Sequence, residues 1–535
     1  MKDTSTITAS ANGKTWYWLL LLPVVVIVGP LVAITLASEE REFIDILIEA
    51  LPILMFVTLA MFLFTGYPVA FVLGGVALNF GLIGYFLDVF SLIEFFNFVP
   101  RIWGQAVENL VLVAVPTFVY MGVMMERSGI AEDLLYAVQV ILRRVPGALA
   151  LAVTIMGTIL AAMTGIIGAS VTMMTAMALP TMLRQGYSHA LATGCIAASG
   201  TLGILIPPSI MLIIMADLLS VSVGTLFMAA LVPGLFLAGL YLLYIMLTAI
   251  FLPRTAPPLP RDMLYVPWRK MPPLIVVAFL PPALLLGLVK GSILFGWATP
   301  SEAGAVGAFG AVLLAFIIPL MAKGFLVFGF VNAEEDGALE GMIVKASNRP
   351  LKWSLVREVN YNAANTIGMI FFIVMAATCF AYVFRSLGGD DVVSGLIMKA
   401  GLDSWGLLFL ILTIVFVLGF FLDWIEITLI ILPIFAPLVS GFDFGDHVPV
   451  LGLNNQEVTF WFTILVAVNL QTSFLTPPFG YALFYMKAIA PDEVHITSIY
   501  KGIIPFVMLQ LVALIVTLAY PGMALALAAY VYGVI

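Results

Sequence analysis

Apolar runs of about 20 residues, the length that crosses a bilayer, recur along the whole chain, separated by short polar or Gly/Pro clusters. This pattern predicts spanning helices near 43–65, 68–88, 107–126, 223–252, 271–289, 303–320 and 363–384, and one long or bent span over 503–535. Trp16–Leu36 is a further helix that follows a polar start ending at Lys14; a signal peptide is its rival, but no A-x-A site clearly follows. Ala131–Leu142 and Asp390–Ala400 are polar-interrupted. The first, with Glu132 and Asp133 at its start and Arg143 and Arg144 beyond its end, suits a helix dipole and an interfacial position.

Ala148–Arg184 is too long for one span and contains no charged loop that would separate two, and Leu407–Val439 is a second apolar stretch of the same kind in the matching place of the second half. Each is predicted as a re-entrant hairpin; two ordinary spans would need longer arms. Arg143, Arg144 and Arg184 bracket the first, so it should enter from the cytoplasm, with its tip at Gly165–Ser170. Asp390, Asp391, Asp403, Asp443 and Asp446 surround the second, which should enter from outside. A broken span follows each: Ala190–Met215, interrupted around Ser199–Gly203, and Phe460–Met486.

The two units align. Setting Pro180 on Pro433 places Ser170 opposite Asp423 and Thr175 opposite Thr428. Setting Pro207-Pro208 on Pro477-Pro478 places Ser199 opposite Asn469. An internal duplication with opposite orientation is expected, and matched Gly/Pro-interrupted segments are the best sequence pointer to the site of a secondary transporter. The expected organisation is a polar start and extra helix over 1–50, a first repeat over 51–252 and a cytoplasmic linker over 253–270 carrying Arg254, Arg261, Arg269 and Lys270. Scaffold helices over 271–362, with a polar insert at 323–357, and a second repeat over 363–535 complete it.

Composition agrees. The 535 residues are 63% hydrophobic and 10% charged, against about 45–50% and about 25% in soluble domains, so the fold class is an all-α polytopic membrane protein with about a dozen spans plus two hairpins. The formal charge of −8 includes no basic tract that would suit nucleic acid. Cys195 and Cys379 lie in apolar segments without CxxC or Cys/His spacing. No GxxxxGK or HExxH occurs, and His189, His447 and His495 lie at segment ends. Ser199 in AASG resembles the serine turn of an intramembrane hydrolase but lacks a histidine to activate it; the chain is not expected to be an enzyme or to carry a cofactor.

Broken helices leave free N–H groups that attract anions and free carbonyls that coordinate cations. Sodium is hard and prefers oxygen, so Ser170, Ser199 and the carbonyls around Gly168 and Gly200 form one candidate site, and Asp423, Asn469 and Thr472 the other. The competing reading is that each hydroxyl bonds the preceding turn. Asp423 is the sharpest residue, because an ionisable group inside a membrane segment is costly; it binds sodium, titrates, or is solvated at an open tip. Glu426 reads as its hydrogen-bond partner, and Glu302 in Thr299-Pro300-Ser301-Glu302 as a helix cap.

TGYPVAF, VPTFVYMGVMMERSGIAEDL, GIIGASVTMMTAMALP, GTLGILIPPSIMLI, ATPSEAGAVGA and LTPPFGYALFYM, in that order from about Leu51 onward, resemble the large membrane subunit of tripartite ATP-independent periplasmic (TRAP) transporters. The resemblance implies inverted repeats, an elevator-type transport domain within a scaffold, and coupling to inward sodium movement. It also implies a separate small four-helix membrane subunit, a periplasmic substrate-binding protein, a bacterial inner-membrane location with a cytoplasmic N-terminus, and an organic acid as substrate. Carried over, sodium sits near Gly168, Ser170, Ser199, Gly200, Asp423, Asn469 and Thr472. Substrate lies near Ser170, Thr201, Pro207, Pro208, Ser209, Thr472, Pro477 and Pro478. The helix at 16–36 and the length of the insert depart from the family pattern. A self-sufficient sodium- or proton-coupled anion carrier of the same fold is the alternative.

Overall fold

A computed structural model describes residues 41–63, 65, 67–164, 167–258, 271–328, 338–349, 351–439, 441–477 and 480–533. The helix expected at 16–36, tip residues Gly165 and Ile166, much of the 253–270 linker, part of the insert and Pro478 lie outside them. Every regular element among the described residues is a helix, and eight are long and apolar enough to cross a membrane.

Both predicted hairpins fold as paired helices. Ala148–Thr164 and Ile167–Arg184 have 17 and 18 residues, and Ser404–Leu418 and Trp424–Val439 have 15 and 16. At 1.5 Å per residue these arms reach about 22–27 Å, short of the ~30 Å hydrocarbon core. That length is why the hairpin reading outweighs two full spans.

Three expected elements differ. Over 107–126 the helix begins only at Ala114, because the Asn109 side-chain oxygen accepts from Val111 and Leu112 N–H at 3.0 and 3.3 Å and holds a turn there. The 503–535 span is divided into Ile496–Ala519 and Gly522–Tyr532, since Pro521 has no N–H to carry the helix on. The insert contributes a helix, Ala338–Ser347, and the beginning of Trp353–Ser386.

By packing, the described residues up to Glu108 with Phe371–Leu402 form one compact unit, and Asn109–Ile370 with Asp403 onward form another. The first is tied by aromatic contacts: Phe56 meets Phe380 and Phe384 edge-on at 5.5 and 5.1 Å, and Arg101 lies 4.4 Å over the Tyr382 ring. The second holds both hairpins and both broken spans together with other helices, so this division does not set a transport domain apart from a scaffold.

In the second unit, the helix Ile130–Ile141 is tied to the insert. Arg349 donates to both Asp133 carboxylate oxygens at 3.2 Å, to Glu132 at 3.1 Å and to the Gly129 carbonyl at 3.0 Å, and Lys345 pairs with Glu132. Burial pushes the Asp133 carboxyl up to about 6 against the downward pull of Arg349.

The first broken span runs His189–Thr201, a short 3-10 turn at Leu202–Ile204, a cis Pro207-Pro208 bond, then Ile210–Leu218. The second runs Glu457–Leu475 and resumes at Tyr481–Ile489. The second half of each packs on the returning arm of the other hairpin: Tyr481–Ile489 on Ile167–Arg184, and Ile210–Leu218 on Trp424–Val439. Both first halves rest on Ile496–Ala519. There Gly502 permits backbone contact, since a Cβ on it would come within 2.7 Å of the Ala190 carbonyl carbon.

Candidate functional site

Site residues of the first half gather where the hairpin meets the broken span. Ser170 is buried one turn into the returning arm, and a Cβ at Gly200 would lie 2.6 Å from Val171 Cγ2 and 3.4 Å from the Val171 backbone nitrogen. Gly200 therefore brings the broken helix against the residue next to Ser170. Beside it Ser199 is fully buried, its hydroxyl donating to the Cys195 carbonyl at 2.5 Å. Gly168 faces the ring of Tyr485, 3.1 Å from where its Cβ would stand. Thus a glycine at the hairpin tip meets the second half of the opposite broken span.

Beyond the break, Pro207 and Pro208 are buried. Ser209 caps the next helix, donating to the Ile204 carbonyl at 2.7 Å and accepting from Leu212 N–H at 3.4 Å. Among the described residues no side chain caps the corresponding helix at Gly480. Its first N–H groups are the type of donor that attracts an anion. Pro477 is half-buried.

In the second half Asp423 is only 8% exposed and begins the returning arm. One carboxylate oxygen accepts from Trp424 N–H at 2.7 Å, while Glu426 accepts from the Asp423 N–H at 3.0 Å. Glu426 thus takes the supporting part expected of it, and the other Asp423 oxygen has no donor among the described residues. Asn469 donates to the Leu412 carbonyl of the outgoing arm at 2.7 Å, which leaves its amide oxygen as an acceptor. Thr472 donates to the Val468 carbonyl at 2.9 Å. Glu302 is the predicted cap: its carboxylate accepts from Thr299 N–H at 2.8 Å, and Thr299 Oγ1 accepts from Glu302 N–H at 3.3 Å.

The hydroxyls of Ser199, Thr201 and Thr472 all donate to carbonyls three or four residues back. That is the structural reading of such residues, yet it turns the oxygen lone pairs outward as acceptors. Hydroxyl, amide, carboxylate and carbonyl oxygens are the set a hard cation takes.

A residue that sequence reasoning passed over links the halves. Gln471 Nε2 donates to Thr201 Oγ1 at 3.4 Å, and Gln510 Nε2 donates to the Gln471 carbonyl at 3.4 Å. The side-chain oxygens of Gln471 and Gln510 are buried without a donor among the described residues. The available signal was Gln471 itself, a polar side chain within a membrane segment. The alignment of the two Pro-Pro doublets places Thr201 opposite Gln471, so two matched positions touch one another.

A model of the tripartite ATP-independent periplasmic transporter, DctM component, matches residues 56–523. The chain belongs to this family. It is 27% identical over 420 residues to the C4-dicarboxylate TRAP transporter large permease protein DctM of Pseudomonas aeruginosa, covering 78% of this chain and 86% of the relative. To the isethionate TRAP transporter permease protein DctMQ of Oleidesulfovibrio alaskensis it is 26% identical, covering 93% of this chain and 69% of the relative. To the ectoine TRAP transporter large permease protein TeaC of Halomonas elongata it is 25% identical, covering 88% and 97%. The chain is therefore a TRAP large permease subunit, a multi-pass membrane protein whose relatives are transporters.

Proposed function

We propose that this TRAP permease uses the inward sodium gradient to import a small organic acid across a bacterial inner membrane. The substrate is delivered by a periplasmic binding protein, and a separate small four-helix subunit completes the membrane complex. The observation that carries the site assignment is the Thr201–Gln471 contact together with the reciprocal packing of each broken span on the other hairpin. Residues related by a twofold touch one another only near its axis, so the contact supports inverted repeats crossing at the middle of the site. Around that crossing sodium binds in two places: Ser170, Ser199 and the carbonyls near Gly168 and Gly200, and Asp423, Asn469 and Thr472.

Substrate carboxylate or sulfonate then sits between the hairpin tips and the breaks, near Thr201, Ser209, Pro207-Pro208 and Pro477-Pro478, with the uncapped helix start at Tyr481 supplying N–H groups. The names of the relatives span C4-dicarboxylates, isethionate and ectoine. A site built largely of backbone groups and hydroxyls fits that breadth, with selection left to the binding protein. The relative named DctMQ extends beyond the region shared with this chain, which supports a second membrane component. Reconstitution in liposomes with a cognate small subunit and binding protein tests the reading: uptake driven by an inward sodium gradient and requiring the binding protein supports it. Equal uptake without that protein contradicts it.

A further inference from the structure

A polar cleft of ≈ 350 Å³ lies apart from the hairpins, where the insert meets Ala114–Arg127 and Pro300–Val327. Arg127, Arg349 and Lys352 line it with Ser128, Asn348 and Ser354, and Glu358 is the one carboxylate among its described lining residues. These groups are not equivalent. Arg349 is held by Glu132, Asp133 and the Gly129 carbonyl, and Arg127 donates to Glu358 at 2.9 Å. Those pairs set the walls. The side chains of Lys352, Asn348 and Ser354 have no hydrogen-bond or ion-pair partner among the described residues, so an ammonium, an amide and a hydroxyl remain to receive an anion.

The surroundings have the chemistry that suits a membrane interface. Ala315, on a candidate span, lines the cleft, and on the same helix Phe316 and Leu320 are 54% and 52% exposed. Trp353, next to Lys352, is 76% exposed. Apolar side chains on a span accommodate acyl chains, exposed tryptophan marks the headgroup level, and basic pockets between spanning helices hold lipid phosphates.

We propose that this cleft binds the phosphodiester headgroup of one anionic phospholipid, with Lys352 and Asn348 contacting the phosphate and Arg349 fixing the wall. The bound lipid would tie the insert to the end of Ala114–Arg127 and to Pro300–Val327, whose residues share the cleft wall. Neither contact draws on the transport site, so the assignment stands whatever the cargo.

The full chain, purified in detergent and titrated with phosphatidylglycerol or phosphatidylcholine, is read by native mass spectrometry. One phosphatidylglycerol should bind at least about tenfold more tightly than phosphatidylcholine, and Lys352→Ala should weaken it about fivefold, the worth of one lysine near such a headgroup. Asn348→Ala should weaken it by a smaller factor, and Lys399→Ala, outside the cleft, should leave it unchanged. Lys352 is exposed and has no ion-pair partner among the described residues, so its removal should not unfold the chain. A lack of preference, or one that Lys352→Ala and Lys399→Ala change equally, overturns the proposal. So does Lys352-dependent binding of inorganic phosphate by calorimetry without any lipid preference, which would assign the cleft to a soluble ligand.

Discussion

The two broken spans share a plan and differ in chemistry. At the first, Ser199 and Thr201 are neutral, their donors are spent on the preceding turn, and Ser209 caps the helix that follows. At the second, a carboxylate begins the hairpin arm, an amide anchors to the other arm, and the helix after the break starts without a side-chain cap. They also meet Ile496–Ala519 differently. The first does so through glycine backbone contact, and the second through polar bonds, with Trp461 Nε1 donating to the Thr517 carbonyl at 2.8 Å and Gln510 reaching Gln471. A shared backbone plan thus carries unequal fillings at its two breaks.

The largest expected effect separates those two attachments. Gly502→Val forces the Ala190 carbonyl away and should cost on the order of 3 kcal/mol, a clash that small residues at helix contacts exist to avoid. Trp461→Phe removes one hydrogen bond, about 1 kcal/mol. Thermal melts of the purified chain should show the glycine variant much the weaker; equal losses would mean that the two spans are held alike.

Next comes the closest approach of the first hairpin to its span. Gly200→Ala places a methyl 2.6 Å from Val171 Cγ2 and should destabilise by about 1–3 kcal/mol. Val171→Ala in the same chain should restore much of the loss. Without rescue, the clash lies elsewhere and the contact beside Ser170 is wrongly drawn.

Smallest is the crossing itself. Thr201→Val and Gln471→Leu should each cost about 1 kcal/mol, and the double variant less than their sum, because both remove one shared bond. Strict additivity would deny the contact between these matched positions.

Much of this organisation was legible. Apolar run length located the spans; the lack of charge inside Ala148–Arg184, and a matching apolar run over Leu407–Val439 whose only charges, Asp423 and Glu426, fall at and just after its turn, identified the hairpins, because chain that cannot place a loop in water must turn within the protein. Pro-Pro doublets located the breaks, and the Thr299/Glu302 spacing foretold its cap. The late start at Ala114 was hidden, since it depends on an Asn109 turn whose other partner, Asp217, is 108 residues away in sequence. Gln471 was overlooked for a similar reason: the amide becomes informative only once Thr201 and Gln510 are seen beside it. The clamp of Arg349 on Glu132 and Asp133 likewise joins segments that no local pattern relates.

Asp423 against Ser199 tests the central claim most directly. In proteoliposomes with the binding protein present, initial uptake is measured across a sodium series for the parent chain, Asp423→Asn and Ser199→Ala. Loss of the charged ligand should raise the sodium concentration for half-maximal uptake about tenfold or more and lower the sodium cooperativity, the scale of ~1.5–3 kcal/mol for a bond to a charged group. Ser199→Ala should raise it only a fewfold. An unchanged sodium curve in Asp423→Asn would contradict a cation site built on Asp423, Asn469 and Thr472.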